Sequence, residues 1–307
     1  MEVNKIHILI SGGSGFIGSE LADRFSKIGL KVHLLHHEFC KNNSIHQENV
    51  TCSNWSQLST LSNKSWFIFH CGGISSYLNN NFNELKKANV SMTKSIAKFA
   101  ESTRSYLVFM STIGVYDRKK FSGILNNLTS ESSCYPRTLY GKSKLLAEQE
   151  IIKENTNYLI IRLPWVYGKN MRKNSHIRKF NEWARSGKLI SMFKWPGRVS
   201  VLNVNLLSKF CLDIVLGKVK LNNNIINLSE NQPVSINSFF SNHTESRLIK
   251  FITIPKMSSI SRFFPSQLRI LMEDYLVYEK HNWNLETNHF FDKSFFEIDN
   301  YWNTPTQ

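Results

Sequence analysis

No cysteine pair at C-x-x-C spacing, no run of eighteen apolar residues and no basic leader with a small-residue cleavage site occurs in these 307 residues. The five cysteines, Cys40, Cys52, Cys71, Cys134 and Cys211, are odd in number and scattered. That argues against a disulfide framework and fits a reduced compartment. With neither a leader nor a spanning segment, a soluble cytoplasmic protein is expected, neither secreted nor membrane-spanning. Acidic residues are scarce: 23 Asp plus Glu stand against 38 Lys plus Arg, a formal net charge of +15. The excess favours anionic partners through the summed field of the molecule. The basic residues are dispersed rather than gathered with aromatics into a nucleic-acid module, so a nucleotide-bearing small molecule is at least as well supported as DNA or RNA. No metal site is expected: His70 has no clustered Cys, His or carboxylate partner and reads as a packed strand-end histidine.

What the chain does contain is alternation. Short β-rich runs, KIHILIS, KVHLLHH, SWFIFHC, SYLVFMS and NYLIIRL, are separated by helical patterns in GSELADRFSKIG, NELKKANVSMTKSIAKFAES and RTLYGKSKLLAEQEIIKE. Strands separated by helices predict βαβ units and a parallel sheet. The runs ILI, FIF and YLVFM lack polar alternation, as expected when helices cover both faces. The fold class is therefore α/β with a doubly wound parallel sheet over residues 1–165. From Pro164 the texture becomes basic and irregular, and residues 166–307 read as a smaller lobe partly interleaved with the sheet. The last fifty residues are too rich in aromatics for a disordered tail.

Residues 8–20, ILISGGSGFIGSE, turn from a strand through three glycines into a helix. Such a turn lets the backbone approach a diphosphate, and the helix start offers unpaired N–H groups and a positive dipole end. Gly12, Gly15 and Gly18, with Phe16 and Ile17 in the helix start, are the candidate phosphate cradle. Further on, Tyr140 and Lys144 lie four apart in a predicted helix and share one face. An ammonium near a phenol favours the phenolate, which makes Tyr140 a candidate general acid or base.

The spacing G-x-x-G-x-x-G resembles the signature of the extended branch of the short-chain dehydrogenase/reductase superfamily, and further matches follow in order. FIFHCGG at 67–73 resembles the strand-end motif H-x-A-[AG], and Asn89 in ANVSMT resembles the N-V-x-G-T helix position. FMSTIGVYD at 109–117 resembles S-[ST]-x-x-V-Y-G, and YGKSK at 140–144 resembles Y-x-x-x-K. RLPWVYG at 162–168 resembles R-x-x-x-x-Y-G, and GRVSVLNVNLL from Gly197 resembles R-x-F-x-x-V-x-D-h-A. Together they span about 200 residues.

The resemblance implies a Rossmann-type dinucleotide-binding domain and a substrate-binding lobe. It places Cys71, Gly72 and Pro164 beside the cofactor, and it gives Thr112, the second hydroxyl of the pair begun by Ser111, to the reacting oxygen of the substrate. It lets Lys144 tune Tyr140 while binding the nicotinamide ribose. The nicotinamide would carry the hydride. Arg198 matches an arginine that grips a nucleotide diphosphate, a task suited to a guanidinium fork. Family members commonly pair through two helices, so a homodimer is an expectation of the same kind.

The sequence departs from the family pattern at informative places. An NAD site usually has an acidic residue about 20 positions past the glycine turn. Here His36 and His37 stand there, with Glu38 and Lys41 nearby, which gives NADP a mild preference and leaves NAD open. Family dehydratases carry an acidic pair after the catalytic Thr, whereas this chain has Ile113 and Gly114, so an elimination would lack its acid and base. Trp165 replaces an Asn that often contacts the sugar, Lys169 replaces a Pro, and Asn205 replaces an Asp. The reading that results is an NAD(P)-dependent oxidoreductase acting on a nucleotide-linked sugar, leaning to a 4-keto-sugar reductase of polysaccharide biosynthesis. A nucleotide-sugar 4-epimerase is the alternative, and a non-catalytic dinucleotide-sensing or nucleic-acid-associated protein is the alternative from another class.

Overall fold

The computed structural model describes residues 6–36, 48–74, 81–116, 128–172, 175–186, 193–219, 223–230, 233–241 and 252–254, together with positions 271, 274 and 276. The rest of the last fifty residues lies outside the described residues, as do His37, Glu38 and Lys41. The chain forms two compact units, one of Met1–Tyr116, Ser132–Leu163 and Val204–Asn227, the other of Asp117–Glu131, Pro164–Asn203 and Leu228–Gln307. Residues 204–227 thus belong with the sheet rather than with the rest of the second half of the chain.

The first unit is built on β1 (His7–Ser11), β2 (Lys31–His36), β3 (Val50–Asn54), β4 (Phe67–His70), β5 (Tyr106–Thr112), β6 (Asn157–Leu163) and, much later in the chain, β11 (Asn224–Asn227). Their order across the sheet is β3-β2-β1-β4-β5-β6-β11, and every pairing is parallel. The strand order reverses between β1 and β4, and at such a switch point the carboxyl ends of neighbouring strands open a crevice. The doubly wound sheet is as the alternation predicts.

The helices of this unit are α1 (Phe16–Lys27), α2 (Phe82–Leu85), α3 (Met92–Ser102), α4 (Leu139–Lys153) and α6 (Val204–Val215). On one face, Ile96 and Ala97 of α3 and Ala147 and Ile151 of α4 pack with Leu9, Ile68, Phe109 and Ile160. On the opposite face, Phe25 of α1 meets Phe69, the neighbour of Ile68 on β4, with ring centroids 5.1 Å apart. Successive strand residues point to opposite faces, so one apolar run feeds both layers. Each such side chain, fully buried, contributes about 1.5–3 kcal/mol by leaving water. Two strands escape the sequence pattern: β3 and β11 lie at the sheet edges, are short, and carry exposed or half-buried positions in VTCSN and NIIN.

In the second unit, β7 (Trp165–Tyr167) pairs parallel with β10 (Val201–Asn203), β8 (Phe193–Lys194) with β13 (Ile252–Thr253), and β9 (Arg198–Val199) pairs antiparallel with β12 (Val234–Ser235). Helices α5 (His176–Arg185) and α7 (Ser238–Ser241) complete it. Trp165 stacks on His176 at 4.9 Å and lies within 6.2 Å of the ring centres of Phe180 and Phe239. Among the described residues no helix is long and apolar enough to cross a membrane.

Candidate functional site

The glycine turn is shaped by contacts that only glycine permits. Gly12 has φ +72°, and a Cβ there would lie 2.7 Å from the Cα of Gly72 at the end of β4. At Gly18, in the first turn of α1, a Cβ would lie 2.3 Å from the carbonyl oxygen of Gly12. Helix α1 therefore sits directly on the turn, and its start is bare: no side chain caps it and no acidic residue occupies its first turn. Arg24 and Lys27 sit instead in its last turn, so charge and helix dipole agree in leaving the N-terminus to an anion. The tight glycine turn and this uncapped helix start fit a dinucleotide diphosphate.

At the end of β4, His70 bridges two neighbours. Its Nε2 lies 2.9 Å from Thr93 Oγ1, which donates its own hydrogen to the carbonyl of Asn89 at 2.5 Å. Thr93 must therefore accept from His70 Nε2–H, which leaves Nδ1 to accept from the hydroxyl of Ser11. Burial, helped by the charge of Lys144, pushes His70 down to about 3, so it stays neutral. Burial likewise pushes His176 in the second unit down to about 4, with Lys179 adding to it. Both histidines take up protons more readily once unfolded, near 6.5, so their stabilisation is complete above that pH and is lost as pH falls toward the folded values. At pH 5 each is expected to cost the fold about 2 kcal/mol. Thermal melts at pH 7 and pH 5 should show a marked drop that a His70→Gln variant loses in part.

Asn89 lies in a π-helical turn, Lys86–Ser91, that joins α2 to α3 within what the sequence predicts as one helix. Its side chain accepts from the Ile74 N–H at 2.8 Å and donates to the Ile74 carbonyl at 3.0 Å and to Ser143 at 2.9 Å. It anchors the segment after Gly72 and Gly73 to the helix that carries Tyr140. Such π turns are common at functional sites because they re-aim one side chain without ending the helix.

Thr112 ends β5, and its Oγ1 accepts from the Gly114 N–H at 3.1 Å, which leaves its own hydrogen for a ligand. Thr138 caps α4 by accepting from the Gly141 N–H at 3.0 Å. A Cβ at Gly141 would fall 2.3 Å from the carbonyl oxygen of Gly114, so the first turn of α4 lies directly against the turn that follows Thr112. This contact sets the backbone of half-buried Tyr140 beside the turn that follows Thr112. One turn further, Lys144 is 4% exposed and its ammonium lies 3.9 Å from the ring centre of Phe109. Burial, partly offset by Glu148 and Cys71, pushes Lys144 down to about 7.

Of the remaining candidates, Cys71 donates its backbone N–H to the Ser11 carbonyl and its thiol is pushed up to about 12 by burial. His36, at the end of β2, has a buried Nε2 with no partner among the described residues, and burial lowers its pKa. Pro164, Trp165 and Arg198 belong to the second unit. There Trp165 is engaged in the aromatic stack, and Arg198 is held by Asp274, Nη2 to Oδ2 at 2.9 Å and Nε to Oδ1 at 3.4 Å. The hydrogen bond from Arg198 to Asp274 raises the pKa of Arg198 further. An anion that binds Arg198 competes with that carboxylate. Among the described residues no group of His, Cys, Asp and Glu could hold a metal ion.

Sequence reasoning misses a buried polar chain beside this site. Ser111 donates to Glu148 Oε1, Arg162 donates to both carboxylate oxygens from Nε at 3.1 Å and Nη2 at 2.7 Å, and its Nη1 reaches Tyr116 Oη at 3.0 Å. Tyr116 in turn donates to Asn227 at 2.6 Å. One signal is in the sequence: an arginine inside the apolar run NYLIIRL requires a buried counter-charge.

Comparison with known proteins bears on the family and the fold. The model of a family described as RmlD substrate binding domain matches residues 6–229. Among curated proteins, methionine adenosyltransferase 2 subunit beta of Rattus norvegicus is 28% identical over 112 residues, 36% of this chain and 32% of that protein. The chain thus matches about a third of that relative's length. Among solved structures, the Bordetella bronchiseptica enzyme WbmG in complex with NAD has a TM-score of 0.69 at 15% identity, covering 90% of this chain and 86% of that one. UDP-N-acetylglucosamine 4-epimerase from Methanobrevibacter ruminantium M1 has a TM-score of 0.72 at 16% identity, covering 97% and 98%. At such identities the structural likeness is one of fold. The family match covers well over half of the chain, which therefore belongs to the RmlD substrate-binding-domain family of extended short-chain dehydrogenases/reductases.

Proposed function

We propose that the protein is an NAD(P)-dependent oxidoreductase that acts on a nucleotide-linked sugar, as a 4-keto-sugar reductase. The observation that carries the reading is the packing of Gly141 on Gly114, which joins Thr112 to the helix of Tyr140 and Lys144 beside the glycine turn. Gly12 to Gly18 would hold the diphosphate, and Lys144 the nicotinamide ribose. A nicotinamide bound there supplies or accepts hydride. Thr112 donates its free hydroxyl hydrogen to the substrate oxygen and orients it. Tyr140 Oη then passes a proton to that oxygen, or takes one from it, as the carbon changes oxidation state. The buried ammonium of Lys144 stabilises the phenolate left behind. Neutral His36 repels neither a ribose hydroxyl nor a 2′-phosphate, and the mild preference for NADP rests on the absence of a carboxylate on β2.

One assay separates the readings. Given a UDP-linked 4-keto-sugar, a reductase is expected to oxidise NADPH stoichiometrically. A 4-epimerase, the reading favoured by the fold-level likeness to the Methanobrevibacter enzyme, would turn over with catalytic NAD and no net redox change. Dinucleotide binding without turnover of any sugar nucleotide would favour the non-catalytic, dinucleotide-sensing reading.

A further inference from the structure

Three of the groups that line the candidate catalytic set belong to one buried ion-pair system. Glu148 stands four residues after Lys144 and eight after Tyr140 on α4, so all three lie along one side of the helix. It is 1% exposed, Arg162 is 3% exposed and Ser111 is 4% exposed. Ser111 and Arg162 are register partners on β5 and β6, so the single carboxylate of Glu148 fastens α4 to the carboxyl ends of two adjacent strands. Ser111 immediately precedes Thr112. A hydrogen bond at that position fixes the height of β5 against α4, and with it the placing of Thr112 relative to Tyr140.

The same carboxylate has an electrostatic role. The titratable groups that interact with Lys144 are Glu148 on its own helix and His70 and Cys71 at and just after the end of β4. His70 is neutral and Cys71 remains a thiol at neutral pH. Glu148 is therefore the anion that opposes the burial of this amine. Arg162, held by Glu148 and Tyr116, is not among the groups that shift Lys144.

We infer that Glu148 is a positioning residue for Thr112, Tyr140 and Lys144, tying α4 to the end of β5 and setting a buried carboxylate one helical turn from Lys144. The role in turnover rests on the oxidoreductase reading; the effect on Lys144 does not.

The test is a pH titration of the Lys144 side chain by NMR in protein carrying 13C-labelled lysine, with its signal assigned by its absence in Lys144→Met. The wild-type midpoint is expected near neutrality, well below the ordinary lysine range. Glu148→Gln should move it down by about one pH unit or more and shift the alkaline limb of any turnover profile the same way. Because that variant strips Arg162 of its buried counter-charge and so endangers folding, Glu148→Gln/Arg162→Met removes both charges together, an exchange that folded proteins often tolerate. A folded double variant with a lowered Lys144 midpoint supports the inference. A midpoint that stays at the wild-type value in either folded variant overturns it, and assigns Glu148 to fold stability alone. A lowered midpoint in a protein that turns over no sugar nucleotide supports Glu148's electrostatic role while removing the reaction.

Discussion

Tyr140→Phe is expected to lower the rate of hydride transfer by about 10²- to 10⁴-fold, the usual contribution of a positioned general acid or base. The substitution removes one oxygen and leaves the ring. The start of α4 keeps its cap from Thr138 and its seat on Gly114, since neither contact involves the phenol. Stability should therefore change little, and the affinity for dinucleotide should stay within about a factor of two, a difference of less than half a kcal/mol. The decisive measurement is single-turnover NADPH oxidation with a keto-sugar nucleotide, alongside a binding titration of the dinucleotide. A variant that retains a tenth or more of the wild-type rate would show that the proton comes from elsewhere, and Thr112 would then be the group to test.

Gly18→Val should have a comparably large effect on binding. A Cβ at Gly18 has to occupy space 2.3 Å from a backbone oxygen, and a carbonyl cannot swing aside as a flexible side chain can. Helix α1 must slide off the turn, and that costs the fold about 1–3 kcal/mol in overpacking. It also moves the uncapped helix start away from the position where a diphosphate would meet it. The affinity for NADPH is expected to fall by about 100-fold or more, equivalent to about 2.7 kcal/mol. Gly72→Ala provides the contrast. Its Cβ would meet no protein atom nearer than Ser11 Oγ at 3.4 Å, an ordinary contact, so the melting temperature should survive. Equal affinities for wild type and Gly18→Val would mean that the turn is only a strand-to-helix connection.

Much of the first unit is legible in the sequence. The central strands announce themselves as apolar runs because both of their faces are covered, and the glycine turn and the Tyr140–Lys144 spacing are local patterns. The edge strands β3 and β11 are not legible, since an edge strand needs neither a long run nor an apolar one. The π turn at Asn89 is hidden inside a good helical pattern, because its cause is the backbone of Ile74, fifteen residues away.

By itself the sequence determined the alternation of the central strands and helices, the glycine turn and the Tyr140–Lys144 spacing, all of which depend on neighbours within a few positions. Tertiary structure alone decided which partners the charges meet: buried Arg162 with Glu148 and Ser111, half-buried Arg198 with Asp274, and buried Lys144 over Phe109. The reason is the cost of taking a charge out of water, which depends on the partner that meets it there. Those partners come from strands and helices brought together only by the completed fold.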